Sequence, residues 1–378
     1  MKKVLLLGAS GSIGSQTLDI IDKHLERFSL VAFSVGKRSN QIPDILKRYP
    51  SVKEVYLISD EEKKGFEKKY PSIKFYSSED GLDKFTKQVD FDICVDALVG
   101  FAGMEPAVIA LKKGKILCLA NKEALVTGGT IINEILKSKG KLYPIDSEHV
   151  ALAKCLSRLK PEEVKRLVIT ASGGALRNLP LQELEHATAK MALNHPTWNM
   201  GAKITIDSAT MMNKGFEIIE AYYLFGYGLD KIKVLMHDES LVHSAVELKD
   251  GTFVLDYGKP DMHVPIEYAL MEGNVDFDLM HIKSFDELKD CHFREYDPRR
   301  YPMTELAKKC LNDSASKMIA LNAANEVAVN RFLKDEISYL DIRRIVSKVV
   351  DSTPSDKSPS LSKIKEIDKL SRLEAARL

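Results

Sequence analysis

Val4–Leu7 is an unbroken apolar run that meets a glycine-rich loop, and after it Leu18, Ile21 and Leu25 recur at helical spacing. A short continuous run of this kind reads as a strand buried on both faces, and the three-to-four-residue recurrence as the covered stripe of a helix. The same alternation continues down the first part of the chain. Leu30–Val35, Glu54–Ile58, Phe91–Leu98, Lys115–Ala120 and Leu142–Asp146 predict further strands, and Met104–Lys112 and Thr127–Lys139 predict helices. Strands alternating with helices imply a parallel, doubly wound sheet. The middle of the chain is patterned differently. Leu167–Thr170, Lys203–Asp207, Lys231–Met236, Leu241–Leu248 and Phe253–Asp256 read as strands, the last three in close succession. Lys249-Asp250-Gly251 is a hairpin turn signal, so at least one pair is antiparallel. Met211–Phe225 is apolar almost all round, as a buried helix would be. The pattern fades among charges between 275 and 300, and helical periodicity returns over Ala315–Lys334 and Ser338–Val350. The predicted organisation is α/β: a doubly wound domain over residues 1–146, an α+β domain over 147–274, a linker over 275–300 and a helical bundle over 301–378.

Composition narrows the class without choosing a function. A chain of 378 residues with 44% hydrophobic positions can bury more than one core. A formal net charge of +1 carries no electrostatic footprint for nucleic acid or an anionic membrane. The first apolar run stops at Leu7, too short for a secretory signal, and no stretch approaches the ~18 apolar residues of a membrane span. Five cysteines, an odd count with no C-x-x-C pair, argue against a disulfide framework and point to a reducing compartment. A cytoplasmic location is expected.

The first chemistry lies where the first strand meets the first helix. Gly8-x-x-Gly11-x-x-Gly14 has the strand–loop–helix context in which glycines let a pyrophosphate approach the backbone and the helix N-terminus meets its charge. This makes the N-terminal domain Rossmann-like. The second strand ends in Gly36-Lys37-Arg38-Ser39-Asn40, with no acid for a ribose hydroxyl and two cations suited to a 2′-phosphate, which favours NADP. Solvated surface cations are the alternative reading of Lys37 and Arg38.

Two further clusters carry charge into apolar surroundings. Asp146 and Glu148 flank Ser147 at a predicted strand-to-helix turn, where both carboxylates can converge on a cation; capping of the helix containing Val150–Leu159 is the alternative. Glu217 and Glu220 lie on the apolar helix with Asn213 and Lys214, and a buried charge must be paired or bound to metal. Carboxylates without Cys or His at zinc spacing suit a hard divalent cation, Mg²⁺ or Mn²⁺. The histidines at 149, 195, 237, 243 and 263 show no zinc spacing and read individually as hydrogen-bonded structural groups. Ala171-Ser172-Gly173-Gly174 reads as an anion nest after a strand. Ser208, at the end of the strand predicted over Lys203–Asp207, with Asn213 and Lys214 in the next helix, adds groups suited to a phosphate monoester. The loop His195-Pro-Thr-Trp198-Asn-Met200-Gly201 holds the only Trp and reads as a candidate lid.

Taken together, GASGSIG, LANKEALVTGG (Leu119–Gly129), DSEH, SGG, HPTWNMG, KITIDSATMMNKGFE, GKPDM (Gly258–Met262) and ALNAANE (Ala320–Glu326) span most of the chain. As a set they resemble the 1-deoxy-D-xylulose 5-phosphate reductoisomerases of the methylerythritol phosphate route to isoprenoids. The resemblance implies a metal site at Asp146, Glu148 and Glu217, with Co²⁺ a further possible ion. It implies substrate binding by Ser172, Ser208, Asn213 and Lys214, chiefly at the phosphate, with His195 beside it, and by Lys122 and Ser147 at the oxygenated end. It places Glu148 and Glu217 among the substrate-binding residues as well. NADPH would be held by Ser10, Gly11, Ser12, Ile13, Gly36, Lys37, Arg38, Asn121, Glu123 and Gly201, and His195, Trp198 and Met200 would belong to a mobile flap. Lys122 with the three acids would carry catalysis, and the enzyme would be a homodimer acting on a small phosphorylated sugar. Ser10 stands where the family pattern has Thr, which keeps the hydroxyl, and the Arg38-Ser39 stretch is variable in that pattern. An NADP-dependent semialdehyde or homoserine dehydrogenase is the alternative; it shares the glycine loop but leaves the acids and the anion nest unexplained.

Overall fold

The structure is a computed structural model and describes residues 1–198, 200–274 and 284–378. Along the chain the elements begin β1 (Lys2–Leu7), α1 (Ser12–Lys23), β2 (Phe28–Val35), α2 (Ile42–Arg48), β3 (Glu54–Leu57), α3 (Asp60–Lys69), β4 (Lys74–Tyr76) and α4 (Leu82–Gln88). They continue β5 (Ile93–Asp96), α5 (Met104–Lys112), β6 (Ile116–Leu119), α6 (Lys122–Leu136), β7 (Lys141–Pro144), α7 (Ser147–Leu156), β8 (Val164–Ala171) and α8 (Ala189–Ala192). Then follow α9 (Ala202–Thr210), α10 (Met212–Phe225), β9 (Ile232–Met236), β10 (Val242–Leu248), β11 (Phe253–Tyr257) and α11 (His263–Leu270). The chain closes with α12 (Pro302–Asp313), α13 (Ala315–Leu333), α14 (Tyr339–Ser352) and α15 (Leu361–Arg377).

The chain divides into two compact units. The first comprises Met1–Ala124, Ile132–Asp146 and Met262–Leu279, and the second Leu125–Ile131, Ser147–Asp261 and Met280–Leu378. The 275–300 segment expected to be a linker lies partly outside the described residues. In its described portion, Arg294 pairs with Met236 as an isolated antiparallel bridge.

In unit 1 the seven strands run in the order β4-β3-β2-β1-β5-β6-β7, and the pairings are parallel throughout. Val4 and Leu6 of β1, Phe33 of β2 and Val55 of β3 are fully enclosed together with Ile20 and Ile21 of α1 and Ile266 of α11. Burying each such side chain contributes about 1.5–3 kcal/mol relative to leaving it exposed, which explains why the strands are continuous apolar runs. The strand order reverses between β1 and β5, so a crevice opens at their carboxyl ends, where ligands bind in open α/β sheets.

In unit 2 the sheet order is β11-β10-β8-β9. β10 is antiparallel to both β8 and β11, and β9 is parallel to β8. The hairpin signal at Lys249-Asp250-Gly251 joins β10 to β11 as expected, with Gly251 at φ +91°. α10 is enclosed on both sides. Phe216 and Ile219 pack with α13 and α14 residues such as Leu321 and Val346, while Ile218 and Ala221 pack with Leu167 and Val234 of the sheet. That double burial is why its sequence is apolar all round.

One predicted strand is a helix. Lys203–Asp207 alternates polar and β-branched residues, yet it forms most of α9. Ile206 and Ala209 are enclosed in the helical core, the Thr205 hydroxyl donates to the Gly201 carbonyl one turn back, and Lys203 and Asp207 pair across one turn at 2.9 Å. Tertiary packing outweighs β propensity here. Ser208 therefore lies in the last turn of a helix, and the chain turns into α10 through Met211 at φ +55°. β4, three residues at the sheet edge, had too short an apolar run to be read as a strand.

Candidate active site

The glycine loop of unit 1 is fixed by contacts that exclude side chains. A Cβ on Gly8, which has φ +86°, would lie 2.6 Å from the Ala97 carbonyl after β5, and one on Gly14 would lie 2.2 Å from the Gly8 carbonyl. Gly11 is the N-cap of α1 and supplies no side chain to its first amides, which are oriented to meet an anion. Ser10 is buried, Ile13 half-buried and Ser12 exposed in this turn. Gly36 follows β2, and Lys37 and Arg38 are exposed beside it. Asn121 is fully buried: its carbonyl oxygen accepts the Ala124 amide at the start of α6, and its Nδ2 donates to the Leu98 and Gly100 carbonyls. Its side chain thus braces the loop after β5. Glu123 is buried in the first turn of α6. Lys122, 7% exposed, pairs with Asp146 at 2.8 Å after β7.

Asp146 is the last residue of unit 1, and the next peptide bond opens unit 2 with Ser147. Ser147 donates to the Glu148 carboxylate in the first turn of α7. Glu148 and Glu217 each present a carboxylate oxygen within 4.8 Å of the other. Lys214 stands between them, its Nζ 2.6 Å from each carboxylate, and Asn213 donates to Glu217. Burial works against the Lys214 charge, but the two carboxylates outweigh it and raise its pKa. Glu217 is fully buried. Two hard oxygen donors at this separation, with a cation to balance excess negative charge, fit a divalent metal. His149, also fully buried, lies 3.0 Å from the Glu217 carbonyl and 3.3 Å from the Glu220 carboxylate. This brace beneath Glu217 was not read as such from the sequence; the helical spacing of Glu217 and Glu220 was its one visible sign.

The segment expected to be an anion nest follows β8. Gly173 and Gly174 take φ +78° and +70°, and a Cβ on Gly174 would lie 2.6 Å from Ala209 Cα, so the nest rests against the end of α9. Ser172 and Ser208 are half-buried on the two sides of that contact. Ser172 Oγ is 3.0 Å from His195 Nε2. His195 Nδ1 accepts the Thr197 and Trp198 amides, so a neutral ring carries its proton on Nε2 and donates to Ser172. Burial, with Arg177 and Lys214 nearby, pushes the His195 pKa down to about 4, which keeps the ring neutral at physiological pH. Arg177 was missed from sequence; its guanidinium donates to the Ser172 carbonyl at 3.0 Å. In the expected flap, Trp198 is half-buried with its ring centroid 6.3 Å from that of His243, Met200 is half-buried, and Gly201 begins α9 as its N-cap in unit 2. Asn199 lies outside the described residues.

Family models match three successive stretches: the 1-deoxy-D-xylulose 5-phosphate reductoisomerase model over residues 4–129, its C-terminal domain model over 142–225, and a DXP reductoisomerase C-terminal domain model over 257–374. A 1-deoxy-D-xylulose 5-phosphate reductoisomerase of Listeria innocua is 39% identical over 376 residues, 98% of both chains. The chain belongs to the 1-deoxy-D-xylulose 5-phosphate reductoisomerase family. A reductoisomerase of this name from Geobacillus is 41% identical over 97% of both chains. A crystal structure of DOX-P reductoisomerase in complex with NADPH, fosmidomycin and magnesium is similar over all of this chain and 98% of its own, with a TM-score of 0.92 and 33% identity. The Zymomonas mobilis reductoisomerase in complex with NADPH covers the same shares at a TM-score of 0.88 and 34% identity. Reductoisomerase membership displaces the dehydrogenase alternative.

Proposed function

We propose that this chain catalyses the NADPH- and divalent-metal-dependent conversion of 1-deoxy-D-xylulose 5-phosphate to 2-C-methyl-D-erythritol 4-phosphate. The observation that carries the reading is the Glu148–Lys214–Glu217 cluster, in which Lys214 and Glu217 are buried and Lys214 Nζ lies 2.6 Å from each carboxylate. A divalent cation supplies Lewis-acid polarisation of the substrate's ketone and hydroxyl oxygens when bound, and NADPH supplies the hydride.

The protein's own groups divide the remaining work. Asp146, Glu148 and Glu217 would hold the metal. The backbone of Ser10–Ile13 and Gly36, with Lys37 and Arg38 on the 2′-phosphate, holds NADPH, assisted by Asn121, Glu123 and Gly201. Ser172, Ser208, Asn213 and Lys214 bind the phosphate, with His195 beside it orienting Ser172 through Nε2. Lys122 and Ser147 donate to the oxygenated end, where the Lys122 ammonium stabilises charge as it develops. The substrate's C3–C4 bond breaks in a retro-aldol sense to give an enediolate and a two-carbon aldehyde phosphate. C2 then bonds to C4, and the C3 carbonyl so formed accepts hydride. Because the phosphate site retains the aldehyde fragment, the recombination stays effectively intramolecular. His195, Trp198 and Met200 close over the site and exclude water from the enediolate.

In this reading residues 1–146 chiefly bind the cofactor and 147–274 chiefly serve catalysis, although the stretch from Met262 packs in the first compact unit, and 301–378 form a C-terminal helical segment. A cytoplasmic homodimer completes the reading. Among the described residues no helix is long and apolar enough to cross a membrane. The test is oxidation of NADPH by the purified chain with the deoxyxylulose phosphate and Mg²⁺. Turnover that requires both, and stops on chelation while NADPH still binds, is the expected result. No oxidation of NADPH under those conditions would contradict it.

A further inference from the structure

The groups proposed for the phosphate lie on two chain segments, Ser172–Gly174 after β8 and Ser208–Lys214 at the α9–α10 junction, and both segments are held by side chains from far along the sequence. Asn325 of α13, fully buried, donates its Nδ2 to the Asp207 carboxylate at 2.8 Å. The other Asp207 oxygen pairs with Lys203. The Tyr339 hydroxyl of α14 donates to the Ala209 carbonyl at 2.9 Å. Asp207 and Ala209 are the two neighbours of Ser208, so the residue is gripped on both sides. On the opposite segment the Tyr301 hydroxyl donates to the Gly173 carbonyl at 3.0 Å, and at the α9–α10 junction itself Thr304 of α12 donates to the Met211 carbonyl at 2.9 Å.

All four donors are buried. Tyr301, Thr304 and Tyr339 each reach a main-chain carbonyl at a turn or helix end, and Asn325 reaches the Asp207 side chain in the last turns of α9. Gly174 closes the arrangement, because any side chain there would force α9 away from the nest. An anion site made of hydroxyls and amides on two segments binds well only if both are held at the productive spacing, since ordering them on binding would subtract from affinity.

We infer that Asn325 and Tyr339 are positioning residues for the substrate's phosphate, holding Ser208 against the Gly173–Gly174 nest from the C-terminal helices. This rests on the phosphate reading of Ser172 and Ser208. It gives those helices, which carry none of the residues assigned to the chemistry, a part in substrate affinity.

The test compares Tyr339→Phe and Asn325→Ala with Ser208→Ala as an internal standard, in the full chain, using inorganic phosphate as probe alongside steady-state kinetics. Tyr339→Phe removes one oxygen from a packed ring, so the fold should persist even if Asn325→Ala does not fold. Each folded variant is expected to weaken phosphate binding and raise KM for the phosphorylated substrate by about fivefold, the size of one net hydrogen bond. kcat should change less than about twofold, and Mn²⁺ and NADPH dissociation constants should not move, whereas a general loss of structure would move them all. If Ser208→Ala weakens phosphate binding and Tyr339→Phe does not, the positioning role is overturned and the phosphate site stands. If Ser208→Ala leaves phosphate binding unchanged, the site reading fails and the positioning role with it.

Discussion

Lys214 is enclosed with two carboxylates, and that single fact sets what substitution there should do. Glu217 is fully buried and tied to Lys214, Asn213 and, through its carbonyl, His149. Glu217→Gln keeps the shape and the acceptor for Asn213 but removes a charge, so the fold should persist. Mn²⁺ binding, followed by electron paramagnetic resonance, should weaken by more than the roughly 10–100-fold typical of losing an outer partner of a metal ligand; wild-type affinity would remove Glu217 from the metal site. A second buried acid makes a pH prediction. Asp96, at the end of β5, is fully buried and accepts the Leu98 amide at 3.2 Å. Burial, with Glu123 adding to it, pushes its carboxyl up to about 8 from an ordinary value of 3.8. Between those values the unfolded chain releases a proton that the folded chain keeps, so Asp96 makes stability fall as pH rises through that window. The wild-type melting temperature should drop from about pH 5 to pH 8 more than that of Asp96→Asn; parallel profiles would count against a neutral Asp96. Glu217 was visible in sequence because it interrupts an apolar helix, and Asp146 and Glu148 because they stand where a predicted strand ends; Asp96, inside the strand predicted over Phe91–Leu98, was not singled out. Arg177 and the His149–Glu220 contact were not, because nothing in the spacing says which surface an arginine folds over or which buried acid a histidine meets.

Whole elements were legible where one periodicity dominated. Met104–Lys112 is α5 to the residue, and six of the seven strands of the parallel sheet, all but β4, lie within two residues of their predicted ends. Lys203–Asp207 failed because its alternation matches a strand while its burial is decided by α10 and α13, which local sequence does not display. The glycine loop was legible because its chemistry requires glycine, and the structure shows why at Gly14, whose hydrogen faces the Gly8 carbonyl. Gly14→Ala must push that turn apart. NADPH binding, read by nicotinamide fluorescence, should weaken more than tenfold, a loss of about 1.4 kcal/mol or more, while Mn²⁺ binding is preserved. Unchanged NADPH affinity would mean that the α1 turn does not hold the cofactor.

At the scale of the molecule, a parallel sheet with a glycine-rich loop and a mixed sheet overlaid by helices lie in separate compact units. The first architecture is shared by many simple dehydrogenases, so fold alone does not separate reduction from rearrangement. What separates them is the fate of one carbon–carbon bond. The substrate labelled with ¹³C at both C3 and C4 shows one-bond coupling between the two nuclei. If the chain performs the rearrangement, product formed with NADPH and Mg²⁺ will have lost that coupling, because C3 and C4 end on opposite sides of C2. A reduced product that retains it would show hydride transfer without rearrangement and contradict the account.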